Sequence, residues 1–304
     1  MAETTIDSQS KRICVVTGAN KGIGFEICRQ LASNGILVVL TARDVKSGQE
    51  AVEKLKLSGL TDVIFHQLDV TDATSIASLA DFIESQFGKL DILVNNAGVN
   101  GITVIGGNAK NITFDYEHMF GSKAGDLKKH LEQTYERAEK CLKTNYYGIK
   151  QMSKATIRLL QKSGSPKMVN VSSIGGQLKR VTHQKARDEL GDVQGLTEEK
   201  VDKVVEEFLK DAKENLVEAN DWPINFSAYV VSKAAMNAYT RVLAKSHPEI
   251  AINAVSPGYT STDMTFNVGG HSVEEGAKGP VKLALSPEGG PSSLYFDQLE
   301  VSSF

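Results

Sequence analysis

Tyr229 and Lys233 stand four residues apart in the run Tyr229-Val230-Val231-Ser232-Lys233, a spacing that puts both side chains on one face of a helix. A phenol with an ordinary pKa of about 10 exchanges protons poorly at neutral pH, and a nearby ammonium favours its phenolate and brings it toward the working range. The pair can therefore act as an acid–base device, although a half-buried tyrosine beside a surface lysine gives the same spacing. A hydroxyl comes from Ser172 or Ser173, which close the run Val169-Asn170-Val171-Ser172-Ser173. One of them could hold a carbonyl oxygen, or a serine there could simply make a turn with Gly175-Gly176. Asn145, in Lys143-Thr144-Asn145-Tyr146-Tyr147-Gly148, is an amide inside a helical stretch, where a capping or core hydrogen bond is the ordinary role.

A second group of residues suits a dinucleotide. Thr17-Gly18-Ala19-Asn20-Lys21-Gly22-Ile23-Gly24 follows an apolar strand and opens a helix, so backbone N–H groups and the helix dipole can face a pyrophosphate. Its spacing is G-x-x-x-G-x-G rather than G-x-G-x-x-G, and a plain strand-to-helix turn also uses glycines. The second strand ends in Thr41-Ala42-Arg43-Asp44, where a fold that prefers NAD places an acidic residue on the ribose 2′-OH. Ala42 falls at that place. Arg43 can instead pair with a 2′-phosphate and Lys21 can add a second charge, which points to NADPH. A strand end shifted by one residue would put Asp44 there, and a solvated Arg43–Asp44 pair is the plain alternative. Asp69, in Leu68-Asp69-Val70, reaches the adenine edge or else caps the helix after Thr71. Asn95-Asn96-Ala97-Gly98 ends the fourth strand, at the carboxyl edge where open α/β sheets bind ligands, and is expected to floor the cofactor site.

The elements that must position these residues alternate along the chain. Apolar runs at Ile13–Val16, Leu37–Leu40, Val63–Gln67, Ile92–Val94, Met168–Val171, Ile250–Val255 and Leu294–Phe296 read as strands. Between them, Ile23, Ile27 and Leu31, then Ile76, Leu79, Phe82 and Ile83, recur at helical spacing. This predicts an α/β fold, a doubly wound parallel sheet covered by crossover helices. Two stretches break the rhythm. Residues 100–129 read as a flap, and 174–228 as an insertion holding an amphipathic helix with Val201, Val204, Val205, Phe208, Leu209, Ala212 and Leu216 on one face. With no repeat or low-complexity linker to mark a boundary, residues 1–304 are expected to form one domain, with 1–10 as a flexible tail.

Composition excludes other classes. Hydrophobic residues at 41% and charged residues at 23% are those of a globular chain. A net charge of −3 with no basic stripe speaks against nucleic acid, and no apolar run approaches the roughly 20 residues of a membrane span. Three cysteines without metal or redox spacing and a polar N-terminus without a signal-like apolar stretch suit a reducing, cytoplasmic compartment. No metal site is expected.

Together the glycine loop, the NNAG run, the strand-end serine, YxxxK and Pro257-Gly258 before Thr262 resemble the short-chain dehydrogenase/reductase family from about Lys11 to Phe304. The resemblance implies that Asn145, Ser173, Tyr229 and Lys233 are catalytic, with Ser172 structural. It implies cofactor contacts from Gly18, Asn20, Lys21, Gly22, Ile23, Gly24, Arg43, Asp69, Val70, Asn95, Ala97, Gly98, Tyr229, Lys233, Pro257, Gly258 and Thr262. Ser173 and Tyr229 are 56 residues apart, where most of the family has little more than a dozen. That insert, with Leu196-Thr197-Glu198-Glu199, Glu214-Asn215-Leu216 and Trp222-Pro223, resembles the plant salutaridine and menthone (neomenthol) reductase branch, which is related to monomeric carbonyl reductases.

The implied activity is NADPH-dependent reduction of an apolar ketone or aldehyde, terpenoid or alkaloid in type, by a monomer. Tyr229 would act as the acid with its pKa depressed by Lys233, and Asn145 would hold a water that links Lys233 to solvent. Val99, Leu178, Phe226, Tyr259, Met264 and Phe266 are the expected apolar pocket. Enone reduction, oxidative alcohol dehydrogenation in the same site, and a catalytically silent NADPH-binding scaffold remain the alternatives.

Overall fold

Along the first strand, Ile13 and Val15 join one hydrophobic cluster while Cys14 and Val16 join another, as a strand buried on both faces requires. The computed structural model describes residues 11–107, 109 and 112–304. The expected tail over residues 1–10 lies outside the described residues, as do flap positions 108, 110 and 111. The chain runs β1 (Ile13–Val16), α1 (Gly22–Ser33), β2 (Leu37–Ala42), α2 (Val45–Leu57), β3 (Val63–Gln67), α3 (Ala73–Phe87) and β4 (Ile92–Asn95). The flap follows with β5 (Thr103–Val104), α4 (Tyr116–Phe120), α5 (Ala124–Lys128) and β6 (Leu131–Glu132). Then come α6 (Tyr135–Leu142), α7 (Gly148–Leu160), β7 (Lys167–Val171), α8 (Gln184–Gly191), α9 (Glu198–Lys213) and α10 (Ser227–Ser246). The chain closes with β8 (Ala251–Ser256), α11 (Val273–Ala284), β9 (Tyr295–Asp297) and β10 (Glu300–Ser302).

The main sheet has the order β10-β9-β8-β7-β4-β1-β2-β3, parallel except for β10, which runs antiparallel to β9 at the edge. Cys14 of β1 lies between Val38 of β2 and Ile92 of β4. The strand order reverses direction at β1 and β4, the switch point where such sheets bind ligands beyond their carboxyl ends. This is the doubly wound parallel sheet predicted from the sequence. The expected strands form with ends shifted by a residue or two, and within the main sheet only β10 was not foreseen, because Glu300 and Val301 are exposed and carry no apolar run.

The flap is more ordered than an irregular excursion, since β5 and β6 pair antiparallel with Val104 opposite Leu131. In the insertion, α9 buries Val201, Val204, Val205 and Phe208 as its spacing requires. Leu216 falls beyond the helix end. A second helix, α8, escapes the sequence reading because it buries only Ala186 and Leu190.

The inner face of α9 also carries Asp211, which is buried and accepts hydrogen bonds from Trp222 Nε1 at 2.7 Å and Asn220 Nδ2 at 2.8 Å. Trp222 stacks on His183 at 4.2 Å and meets Phe208 edge-on. Replacing Asp211→Ala strands the buried Trp222 Nε1–H, whereas the exposed Asn220 amide turns to water, at an expected cost of about 1–3 kcal/mol. Thermal unfolding should show the lower Tm, and fluorescence of the single tryptophan should show its altered surroundings; an unchanged Tm would mean that the insertion is held elsewhere.

Candidate active site

The glycine loop and the NNAG run are joined through Thr17. Its hydroxyl accepts the N–H groups of Asn96 at 2.9 Å and Ala97 at 3.0 Å, while Asn96 Nδ2 donates to the carbonyls of Thr17 and Gly18. The fit leaves no room for side chains at two glycines. A Cβ on Gly18, whose φ is +61°, would stand 2.9 Å from Ala97 Cα, and one on Gly24 would stand 2.4 Å from Asn96 Nδ2. Helix α1 then opens at Gly22 with Lys21 as an N-cap whose side chain does not cap the first turn, so its first N–H groups and dipole are open to an anion. Asn20 Nδ2 reaches Ser47 Oγ at 3.2 Å. Lys21, expected to assist on a 2′-phosphate, pairs instead with Asp263 at 2.5 Å, both side chains being exposed.

Strand β2 extends through Ala42, which removes the ambiguity in its end. Asp44 is the N-cap of α2 and accepts from Ser47 N at 2.8 Å, a bond that holds its carboxyl below the ordinary value. The Arg43 guanidinium is exposed and has no hydrogen bond or ion pair among the described residues. Asp69 does not cap α3, since Asp72 does. Burial works against the Asp69 carboxylate, but the hydroxyl and N–H of Thr71, at 2.7 and 2.9 Å, hold it below its ordinary value. Val70 is buried against Gly148. The Asn95 side chain faces inward and donates to Asn170 Oδ1 at 2.8 Å, so its amide braces β4 against β7.

The four residues expected to react divide into two that face the cleft and two that lie behind it. Ser173 and Tyr229 both line the cleft. Lys233 is buried behind them, with Nζ donating to Val171 O at 2.7 Å and lying 5.8 Å from the centre of the Tyr229 ring. Burial pushes Tyr229 up to about 12, with the Ser173 hydroxyl pulling the other way, and brings Lys233 down to about 8. The expected depression of the tyrosine by the lysine is thus not met in the protein alone, because loss of water outweighs every other influence on both groups. Ser172 Oγ donates to Asn237 Oδ1 at 2.7 Å and is buried. Asn145 occupies a π-helical turn, Lys143–Tyr147, of the kind that often marks functional sites. Its Oδ1 accepts from Val99 N, and its Nδ2 donates to Val99 O and Ser232 Oγ, all within 2.9–3.0 Å. The side-chain amide therefore joins the Val99 backbone to Ser232 of the catalytic helix.

The cleft is apolar and joins these groups to the cofactor side. Ile23, Pro257, Gly258 and Thr262 line it, as do Phe226, Tyr259, Met264 and Phe266. Val99 and Leu178 do not. Val99 is bound through its backbone to Asn145, and Leu178 packs toward Gly191 of the insertion. Phe114, Met119, Phe120 and Ile174 take part without having been foreseen, because the flap segments that carry the first three are too short to show a period. Among the described residues no helix is long and apolar enough to cross a membrane.

A family model described as short chain dehydrogenase matches residues 12–186 and 217–271, and α9 falls in the gap. The chain is 52% identical to salutaridine reductase of Papaver somniferum over the whole of both chains. It is 53% identical to (+)-neomenthol dehydrogenase of Arabidopsis thaliana, covering 97% of this chain and 99% of that one. It is 50% identical to (-)-isopiperitenone reductase of Mentha piperita, covering 95% and 97%. The solved structure of the Papaver somniferum salutaridine reductase superposes with a TM-score of 0.87, covering 94% of this chain and 99% of that one.

The two adjacent serines should separate cleanly on mutation. Ser172→Ala leaves Asn237 short of a buried donor and is expected to cost about 1–2 kcal/mol, whereas Ser173→Ala should cost only about half a kcal/mol, since its hydroxyl faces the cleft and gives up one turn bond, from Gly175 N. Thermal melts of the two variants decide it, and equal losses would show that Ser173 is structural as well.

Proposed function

The chain belongs to the short-chain dehydrogenase/reductase family, and from that premise we propose that it is an NADPH-dependent reductase turning an apolar ketone or aldehyde into its alcohol. The observation that carries the reading is the meeting of Ser173 and Tyr229 in one apolar cleft whose other wall, Ile23, Pro257, Gly258 and Thr262, borders the glycine loop. The residues fit the cofactor. Gly18 and Gly24 are packed where only a glycine fits, the open first turn of α1 suits a pyrophosphate, and the unpaired Arg43 suits a 2′-phosphate.

Bound NADPH would supply a hydride to the carbonyl carbon. Ser173 would donate a hydrogen bond to the carbonyl oxygen, stabilising negative charge as it grows there. Tyr229 would give that oxygen its proton, so that one hydride and one proton complete the alcohol. A phenol raised to about 12 keeps its proton at neutral pH, the state that protonating the oxygen requires. Lys233, anchored by Val171 O, has further N–H donors for a ribose hydroxyl and for returning a proton to the tyrosine.

The relatives are named for salutaridine, neomenthol and isopiperitenone, which supports a terpenoid or alkaloid ketone as substrate. The relative named as an isopiperitenone reductase favours a second reading, reduction of an enone double bond; product analysis with an enone separates the two. A silent cofactor-binding scaffold is disfavoured by the assembled Ser173–Tyr229 pair. We further take the protein to be a single-domain, cytoplasmic monomer. In support, α9 packs across α6 and α10 and is tied to the π-helical turn by Tyr146 OH on Asp202 and to α7 by Lys154 on Glu198.

Three outcomes test the reading. Tyr229→Phe should lose about 10²-fold or more in NADPH oxidation with menthone or salutaridine while still binding NADPH, and full activity would overturn the assignment. Arg43→Ala should raise the KM for NADPH by about 10–100-fold and leave NADH little changed. Because Lys233 loses its proton as pH rises through about 8 while Tyr229 keeps its own to about 12, NADPH affinity should weaken above pH 8. Lys233→Met should lack this limb in the same titration.

A further inference from the structure

Flap helix α4 brings an aromatic ring up to the reacting pair. A methyl carbon placed on Gly175 would stand 3.4 Å from Phe120 Cζ, 3.5 Å from Ser173 Oγ and 3.6 Å from Tyr229 Cε1, so one small volume is bounded by flap, serine and tyrosine together. Phe120 also lines the cleft. Behind it lies Arg180, which follows β7 through two short 3-10 turns, Ile174–Gly176 and Leu178–Arg180. Its guanidinium sits 4.2 Å from the ring centre of Tyr116 and 5.5 Å from that of Phe120. These are the first and last residues of α4, so a single cation covers both ends of the helix.

The usual partners of an arginine are missing. Among the described residues no carboxylate pairs with Arg180, and its Nε is buried without a hydrogen-bond partner. What remains is the attraction of a partly dehydrated cation for aromatic faces, which is stronger out of water. A guanidinium left there with neither counter-ion nor ring would be costly, so Arg180 favours the position in which α4 lies against it. A second tether acts on the same helix, Asn225 Nδ2 donating to His118 O at 3.1 Å and to Ala124 O at 2.8 Å.

We propose that Phe120 sets which carbonyl compounds reach Ser173 and Tyr229, and that Arg180 is the positioning residue that holds its ring in place by stacking on α4. The proposal rests on the ketone-reductase reading of the cleft. A rigid ring in front of the reacting pair favours a carbonyl with little bulk beside it and slows, without excluding, one with a branched neighbour.

The test compares cyclohexanone with menthone, which carries an isopropyl group next to its carbonyl. Both kcat/KM with NADPH and the Kd of each ketone for the protein–NADP+ complex are measured for wild type, Phe120→Ala, Arg180→Met and Arg180→Lys. Phe120→Ala should shift the menthone-to-cyclohexanone ratio about tenfold or more toward menthone. Arg180→Met should shift it in the same direction, and Arg180→Lys, which restores a cation, should fall between it and wild type. Unchanged NADP+ affinity shows that each variant is folded, and Phe120→Leu replaces the alanine variant if it is not. If the ketones bind but neither is reduced by wild type, the reductase reading fails while the Kd ratio still decides the role of Phe120. A ratio within twofold of wild type in both Phe120→Ala and Arg180→Met, or no ketone binding by wild type and variants alike, overturns the proposal.

Discussion

Helix α10 lies so close to the end of β7 that a methyl on Gly176 would stand 2.8 Å from both the backbone carbonyl carbon and the Cβ of Lys233. That approach is fixed by three contacts along one turn and a half of helix: Lys233 Nζ on Val171 O, Asn237 Oδ1 accepting from Ser172, and Asn237 Nδ2 donating to Gly176 O. The strand end cannot move without moving the helix. Tyr229, one turn before Lys233, is thereby set beside Ser173, the next residue along the strand end. The distance between acid and serine is thus a product of backbone packing, and not of the 55 residues that lie between them in sequence.

The same packing has an electrostatic consequence. Lys233 is taken out of water with a single carbonyl as acceptor, and its proton is correspondingly loosened, to about 8. Between that value and its ordinary one the unfolded chain binds more protons than the folded one, so this group's contribution to stability increases as pH rises through the window. Tyr229, raised to about 12, works in the opposite direction at higher pH. At neutral pH the fold therefore carries a charged lysine at some cost, offset by the apolar packing of α10, whose Val230, Val231, Ala234 and Ala235 are all buried. A mobile proton on Lys233 beside a firmly protonated phenol is an arrangement that chemistry can use and that stability alone would not select.

What could be read from the sequence was what is local or periodic. The strands, the inner face of α9, the glycine loop and the YxxxK pair are all defined within a few residues of themselves. Thr17 and Asn96, which lock the glycine loop to β4, were invisible because each acts on a partner about 80 residues away. Asn145 shows the same limit: its amide is claimed by Val99 and Ser232, a pairing no spacing rule contains. Lys21 was read as a phosphate ligand from its place in the loop, and a carboxylate 242 residues later claims it. Asp69 lost the capping role to Asp72, the residue directly before the helix, because its own carboxylate is taken by the N–H and hydroxyl of Thr71.

The insertion and the flap then meet the catalytic helix at a single strained residue. Phe226 precedes α10 with φ +54° and ψ +32°, a left-handed conformation that costs a bulky side chain of the order of 1–2 kcal/mol. It is held there from both sides. Asn225 donates to two flap carbonyls, Ser227 N donates to Gln133 Oε1 at 2.8 Å just after β6, and the Ser227 hydroxyl bonds to Pro223 O at the end of the insertion. The strain turns the Phe226 ring into the cleft, where an extended backbone would carry it past. The flap and the insertion therefore converge on the residue before α10, and they shape the wall facing Tyr229 while the spacing of Tyr229 and Lys233 is left to the helix itself.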